Sequence, residues 1–328
     1  MAQNPLAGNN PLEVDDASAD TDSAYNESIG TASYVSSLSS SIKNYKYENG
    51  RRYHAYHEGS YVVPNDEEEQ ERMDLLHHIY RLLLGGRLHL APIQNPQRVL
   101  DLGTGTGIWA IHFADEYPSA QVIGTDLSPI QPQWVPPNCV FEIDDFDTDW
   151  LYKTKFDYIH GRELEGCSAD EDRLFRQAFE HLKPGGYFEF DGAYAHFLSD
   201  DDTAQKAENC QSWLQKLRDA SEKFGKSIED VRQWKEKMEK AGFVDVKEEI
   251  FKVPIGAWPK DPKLKEIGKF QQVQQIQAAD SYTPALFSRV LGWTSEEIEV
   301  LLAKVRNELK DRSLHMYIPI YFVYGRKP

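Results

Sequence analysis

Three glycines in five residues, Gly103, Gly105 and Gly107, follow the apolar run Val99-Leu100-Asp101-Leu102. Glycine lets a chain turn tightly and lets a ligand approach main-chain N–H groups with no Cβ in the way. A dinucleotide fingerprint, G-x-G-x-x-G, would put its third glycine at 108, where this chain has Ile108. The spacing is G-x-G-x-G instead, and Asp101 stands two residues before the first glycine. A carboxylate there suits an ammonium group and repels a pyrophosphate. No G-K-[ST] follows, which excludes a nucleotide-triphosphate loop.

Other acids stand at matching places downstream. Asp126 ends a second strand-like run, where a carboxylate accepts hydrogen bonds from ribose hydroxyls. Asp144-Asp145-Phe146 follows a third, where an acid can meet an exocyclic amine and an aromatic ring can cover a base. Together these describe a pocket for an adenosine that carries an amino acid and a positive charge, with no phosphate.

The elements that must position these residues alternate. Strands are expected at 98–102, 121–126, 139–143, 156–160 and 187–191, with helices from the glycine turn to about Tyr117 and at 171–182. Such alternation predicts an α/β fold with a mostly parallel sheet and helices on both faces. Upstream, Asn65 is expected to cap a helix with Glu68 at the capping-box position and a stripe of Met73, Leu76, Tyr80 and Leu83. Downstream, helices are expected at 202–223 and 228–240, a strand at 244–253, a mostly helical stretch at 256–312 and a last strand at 315–324. The stretch at 256–312 is too long for a simple connection and reads as a lid.

Composition narrows the class. The chain has 328 residues, 36 Lys and Arg against 53 Asp and Glu, and a formal charge of −17. That balance repels phosphate backbones and argues against nucleic acid as the main partner. No apolar run is long enough to span a membrane, and the first residues lack a signal-peptide pattern. The three scattered cysteines argue against a disulfide framework, so a cytoplasmic or nuclear setting is expected, and no metal is assigned. Residues 1–44 carry six acids and one base and few bulky apolar residues, which predicts a disordered acidic tail.

Several segments in combination resemble the class I S-adenosylmethionine-dependent methyltransferases, and within them the fungal LaeA-like group. They are E-N-G-R-R-Y-H-A-Y at 48–56, P-N-D-E-E-E-Q-E-R at 64–72, V-L-D-L-G-T-G-T-G-I-W-A at 99–110 and V-I-G-T-D-L-S-P-I-Q-P at 122–132. F-D-Y-I-H-G-R at 156–162, H-L-K-P-G-G-Y at 181–187 and V-Y-G-R-K-P at the C-terminus complete the set. The resemblance covers about 45–328. It implies a Rossmann-like seven-stranded sheet with the last strand antiparallel. It also divides the chain into an N-terminal helical extension (45–96), a core (97–255), a helical lid insertion (256–312) and the last strand (313–328).

By the same resemblance S-adenosyl-L-methionine is the cofactor. Asp101, Gly103, Thr104 and Gly105 would line its methionine end, Asp126 would hold the ribose, and Leu127 would pack near the adenine. Asp145 and Phe146, with Asp144, would take the adenine edge, His160 would sit near the sulfonium, and Tyr53 would fold over the cofactor. His160 and His57 are the candidates for a general base, needed only if the acceptor must lose a proton. Arg162 and Glu163 read as an ion pair, with each other or with Asp170 to Asp172, while Asp147 and Asp149 read as solvated acids. The resemblance implies a small-molecule or protein methyl acceptor, linked to secondary metabolism. It leaves open a regulatory subunit with a protein partner and little catalysis. A nicotinamide-dependent oxidoreductase is the competing class outside the resemblance.

Overall fold

The computed structural model describes residue 8 and residues 11–15, 45–54 and 62–328. A short hairpin opens the extension: β1 (Lys46–Glu48) and β2 (Arg51–Tyr53) pair antiparallel about Asn49-Gly50. Both turn residues have positive φ, 51° and 74°, as the tight hairpin turn demands. Arg51 then pins this hairpin to the start of α1 (Glu67–Leu83) through the Asp66 carboxylate, at 2.6 and 2.8 Å. Asp66, not Asn65, caps α1, accepting the Glu69 N–H at 3.1 Å. Asn65 instead donates to Ser128 Oγ at 3.1 Å, which ties the extension to the core.

The core alternates as expected: β3 (Arg98–Leu102), α2 (Ile108–Glu116), β4 (Gln121–Asp126), β5 (Cys139–Ile143), β6 (Phe156–Arg162), α3 (Glu171–His181) and β7 (Leu182–Ala193). There follow α4 (Glu208–Phe224), α5 (Trp234–Ala241) and β8 (Val244–Pro254), then α6 (Pro262–Leu286), α7 (Ser295–Leu309) and β9 (Tyr317–Arg326). The seven-stranded sheet has the order β5-β4-β3-β6-β7-β9-β8, and β9 runs antiparallel to both of its neighbours. Alternate residues of each strand feed two cores. Val99, Val122 and Tyr158 face α1, α2, α4 and the α6–α7 pair; Leu100, Ile123 and Ile159 face α3 and α5.

The chain winds outward from β3 through β4 to β5 and then returns to the other side of β3 as β6. Loops leaving β3 and β6 therefore diverge, and a crevice opens at the carboxyl ends of these strands. The stretch between β8 and β9 is helical, and α6 packs on α1, α4, α7 and β8, so it roofs the crevice side of the sheet.

Most of the segment 1–44 lies outside the described residues. Of that segment, residues 11–15 are docked onto the chain before α6. Val14 bridges Pro259, the Asp15 N–H donates to the Trp258 carbonyl at 2.8 Å, and Asp15 pairs with Lys265.

Candidate functional site

The turn after β3 is built to leave space. Gly103, Gly105 and Gly107 have φ of 56°, 58° and 81°, a region that L side chains seldom adopt. A Cβ on Gly103 would lie 2.4 Å from Leu164, and one on Gly107 2.3 Å from Phe141. The loop is laced to β4 by the Thr104 N–H, which donates to the Thr125 carbonyl at 2.8 Å. Asp126 fixes it further, accepting the Gly105 N–H at 2.8 Å and the Ser128 N–H at 2.8 Å. Each oxygen keeps a lone pair for another donor. Burial pushes the Asp126 carboxyl up to about 6, against these two N–H groups, which pull it down.

This loop floors an open cleft of about 1130 Å³, mouth included. Of the residues picked from the sequence, Gly103, Thr104, Gly105, Asp126, Leu127, Asp145 and Phe146 line it. Four carboxylates (Glu69, Asp126, Asp145, Glu163) and three cations (Arg72, Arg162, Lys226) line the cleft. A glycine cradle that a Cβ would fill, a strand-end carboxylate and an acid–aromatic pair fit an adenosine with a charged amino-acid tail.

Other picks are placed elsewhere. Asp101 is only 3% exposed, and both carboxylate oxygens are spent inward. One meets His160 Nδ1 at 2.7 Å and the other accepts the Thr104 hydroxyl at 2.5 Å. Asp101 thus braces the loop from below and does not line the cleft. His160 is 1% exposed, stacks on Trp109 with centroids 3.7 Å apart, and has Nε2 3.6 Å from Asp191. It lines neither this cleft nor the adjoining chamber described below, so it is not poised over a sulfonium. Asp144 turns one oxygen to the Asp145 N–H at 2.9 Å and does not line the cleft. Tyr53 is buried under Arg289, 5.2 Å from ring centroid to guanidinium, and does not cover the cleft. His57 lies outside the described residues. Nor is Asp147 merely solvated, since it accepts the Ser168 hydroxyl at 2.6 Å.

Two residues were missed by sequence reasoning. Arg72 is buried on α1, bound to Glu69 at 2.9 Å and by a second, shorter contact, and lies over the Tyr282 ring at 5.0 Å. Its Nη1 has no hydrogen-bond partner among the described residues, and the side chain lines the cleft. Positions 69, 72, 76, 80 and 83 form one helical face, so a Glu–Arg pair continuing an apolar stripe was the available signal. The second is Glu163, just past β6. It has φ of 57° and its carboxylate accepts the Tyr80 hydroxyl; among the ion pairs of the described residues Arg162 pairs neither with Glu163 nor with Asp170 to Asp172. Arg162 instead stacks on the Tyr80 ring and donates to His77 at 3.2 Å.

A second chamber of about 1040 Å³, mouth included, adjoins the cleft. Leu76, Glu163, Cys167, Lys226 and Tyr282 line both. Beyond that shared wall the chamber is mostly apolar, with Trp213, Leu217, Phe224, Ile318 and Ile320, and a trio of glutamines on α6. Among the described residues no group of three His, Cys, Asp or Glu side chains is placed to hold a metal ion.

A profile described as a methyltransferase domain matches residues 75–248. The chain is 41% identical to the methyltransferase pytC of Aspergillus terreus, over 92% of this chain and 94% of that one. It is 34% identical to the probable methyltransferase tdiE of Emericella nidulans, over 79% and 82%. It is also 33% identical to the secondary metabolism regulator laeA of Aspergillus fumigatus, over 86% and 76%.

Proposed function

The chain belongs to the S-adenosylmethionine-dependent methyltransferases of the LaeA-like group, and on that premise we propose that it methylates a fungal secondary metabolite. The observation that carries this reading is the pair of adjoining spaces, a glycine-floored cleft and an apolar chamber, with one shared wall. When bound, the cofactor supplies an activated methyl group, so the protein's task is mainly to align the acceptor and exclude water.

The residues divide this task. Asp126 offers its free lone pairs to ribose hydroxyls while its other contacts keep the loop in place. Asp145, Leu127 and Phe146 form the base end of the cleft. Arg72, with an unused buried N–H donor, suits the carboxylate of the amino-acid tail, and Glu69 and Glu163 offset its charge. Asp101 and His160 act from beneath, holding Thr104 and so the loop.

The named regulators among the relatives favour a second reading, in which cofactor binding serves a protein complex. Mass spectrometry after incubation with methyl-labelled cofactor and a fungal extract separates the two. A labelled product absent from the Gly105→Asp variant supports catalysis; tight cofactor binding with no labelled product supports the regulatory role.

A further inference from the structure

The chamber beside the cleft has features that define what can occupy it. The space, about 1040 Å³ with its open mouth included, is bounded by α1, α4, α6, β9 and the loop after β6. A concave, mostly apolar space with a few convergent polar groups suits an apolar small molecule. Its walls are apolar over most of their extent. Besides Glu165 and Ser221, the polar groups fall in two clusters. One is the α6 trio, where Gln271 donates to Gln274 and Gln275 at 3.1 and 3.2 Å, leaving its own carbonyl oxygen unpartnered among the described residues. The other is the shared wall, where Glu163 stands between the two spaces.

Glu163 is held with unusual care. A non-glycine residue at φ 57° is strained, and such strain collects where a side chain must be aimed. Its main-chain N–H donates to the Asp191 carbonyl at 2.8 Å, and its carboxylate is fixed by the Tyr80 hydroxyl. A carboxylate at the wall shared by both spaces is an acceptor for an O–H donor on a molecule seated in the chamber.

Resting on the methyltransferase reading above, we propose that the chamber holds the methyl acceptor, an apolar small molecule bearing an acidic hydroxyl, and that Glu163 takes the hydroxyl proton as the oxygen is methylated. The acceptor's O–H bond breaks and its proton passes to a Glu163 carboxylate oxygen. An oxygen lone pair forms the new O–C bond while the C–S pair returns to sulfur, so the sulfonium becomes a neutral thioether. Burial raises the Glu163 carboxyl, opposed by Tyr80, Arg72 and Arg162 and reinforced by Asp191. Glu165, Cys167, Lys226 and Tyr282 line the same chamber.

The test uses the full chain saturated with S-adenosylhomocysteine and two probes, 2-naphthol and naphthalene. Calorimetry should show saturable 2-naphthol binding at least tenfold tighter than naphthalene. Ala195→Trp, which narrows the chamber, should weaken 2-naphthol at least tenfold while S-adenosylhomocysteine affinity stays within twofold. With methyl-labelled S-adenosylmethionine, label should enter the naphthyl ether, at a rate that rises with pH. Glu163→Gln should lower that rate about a hundredfold and flatten the pH profile, and Glu163→Asp should restore part of both. A chain that binds S-adenosylhomocysteine but not 2-naphthol, or that labels added fungal protein and not 2-naphthol, overturns this proposal. A chain that binds neither ligand overturns the cofactor reading instead.

Discussion

Asp101 and His160 are direct register partners across the parallel pair β3–β6, and their side chains join at 2.7 Å. The histidine's other nitrogen lies 3.6 Å from Asp191 on β7, and its ring lies flat on Trp109 with only 4° between planes. An acid–histidine–acid row thus crosses three central strands directly beneath the glycine loop.

Removing the histidine should be costly. His160→Ala leaves two buried carboxylates facing each other without their shared partner, a change worth about 3–5 kcal/mol. Guanidinium denaturation should show that loss, and a variant within 1 kcal/mol of the parent would mean the row is not coupled.

The same row sets a pH dependence. His160 is raised above its ordinary 6.5 by Asp101 and Asp191, against burial, so its contribution is complete below 6.5 and is lost as pH rises through the folded value. Burial raises Asp191 and pushes Glu189 up to about 8, and carboxyls raised on folding also lose stability with rising pH. Below 6.5 the buried His77 and His89, pulled down to about 2 and about 4, act in the opposite sense. The thermal midpoint should therefore fall between pH 6.5 and 8, and Glu189→Gln should reduce the slope. A midpoint that climbs across this window would contradict the assignment.

Gly105→Asp should abolish cofactor binding while leaving the fold largely intact. Aspartate tolerates positive φ better than most residues, so the backbone cost is about 1 kcal/mol. Its Cβ would meet only the flexible Met73 sulfur, at 3.0 Å, but its carboxylate would enter the cleft beside Asp126. Circular dichroism and calorimetry together check both halves, and retained affinity would count against the loop as the cofactor floor.

Arg72 is tested with its partner, since Arg72→Met alone would strand Glu69 in the interior. The double variant Arg72→Met/Glu69→Gln should bind S-adenosylhomocysteine at least tenfold more weakly and adenosine equally well. Equal losses for both ligands would place Arg72 away from the amino-acid tail.

Much of this was legible in the sequence, for reasons particular residues make plain. Local signals carried the strands, the glycine turn and Asp126, because each depends on a short run and its immediate neighbours. Asp101 and His160 were legible as strand-end residues, but their mutual bond depends on β3–β6 register, 59 positions apart in sequence. The helix cap moved from Asn65 to Asp66 because Arg51 claims the aspartate, a contact the hairpin creates. Arg72 hid within a helix read for its apolar stripe. Glu163 hid beside Arg162, whose charge suggested a pair that the structure spends on His77 and Tyr80.

Whether the cleft above the Asp101-braced loop takes a sulfonium nucleoside is decided by calorimetric titration of the full chain with S-adenosylmethionine, NADH and NADPH. Binding of S-adenosylmethionine should be tight and saturable, with no heat of binding for either nicotinamide cofactor. Binding of NADH or NADPH without S-adenosylmethionine would contradict the cofactor assignment.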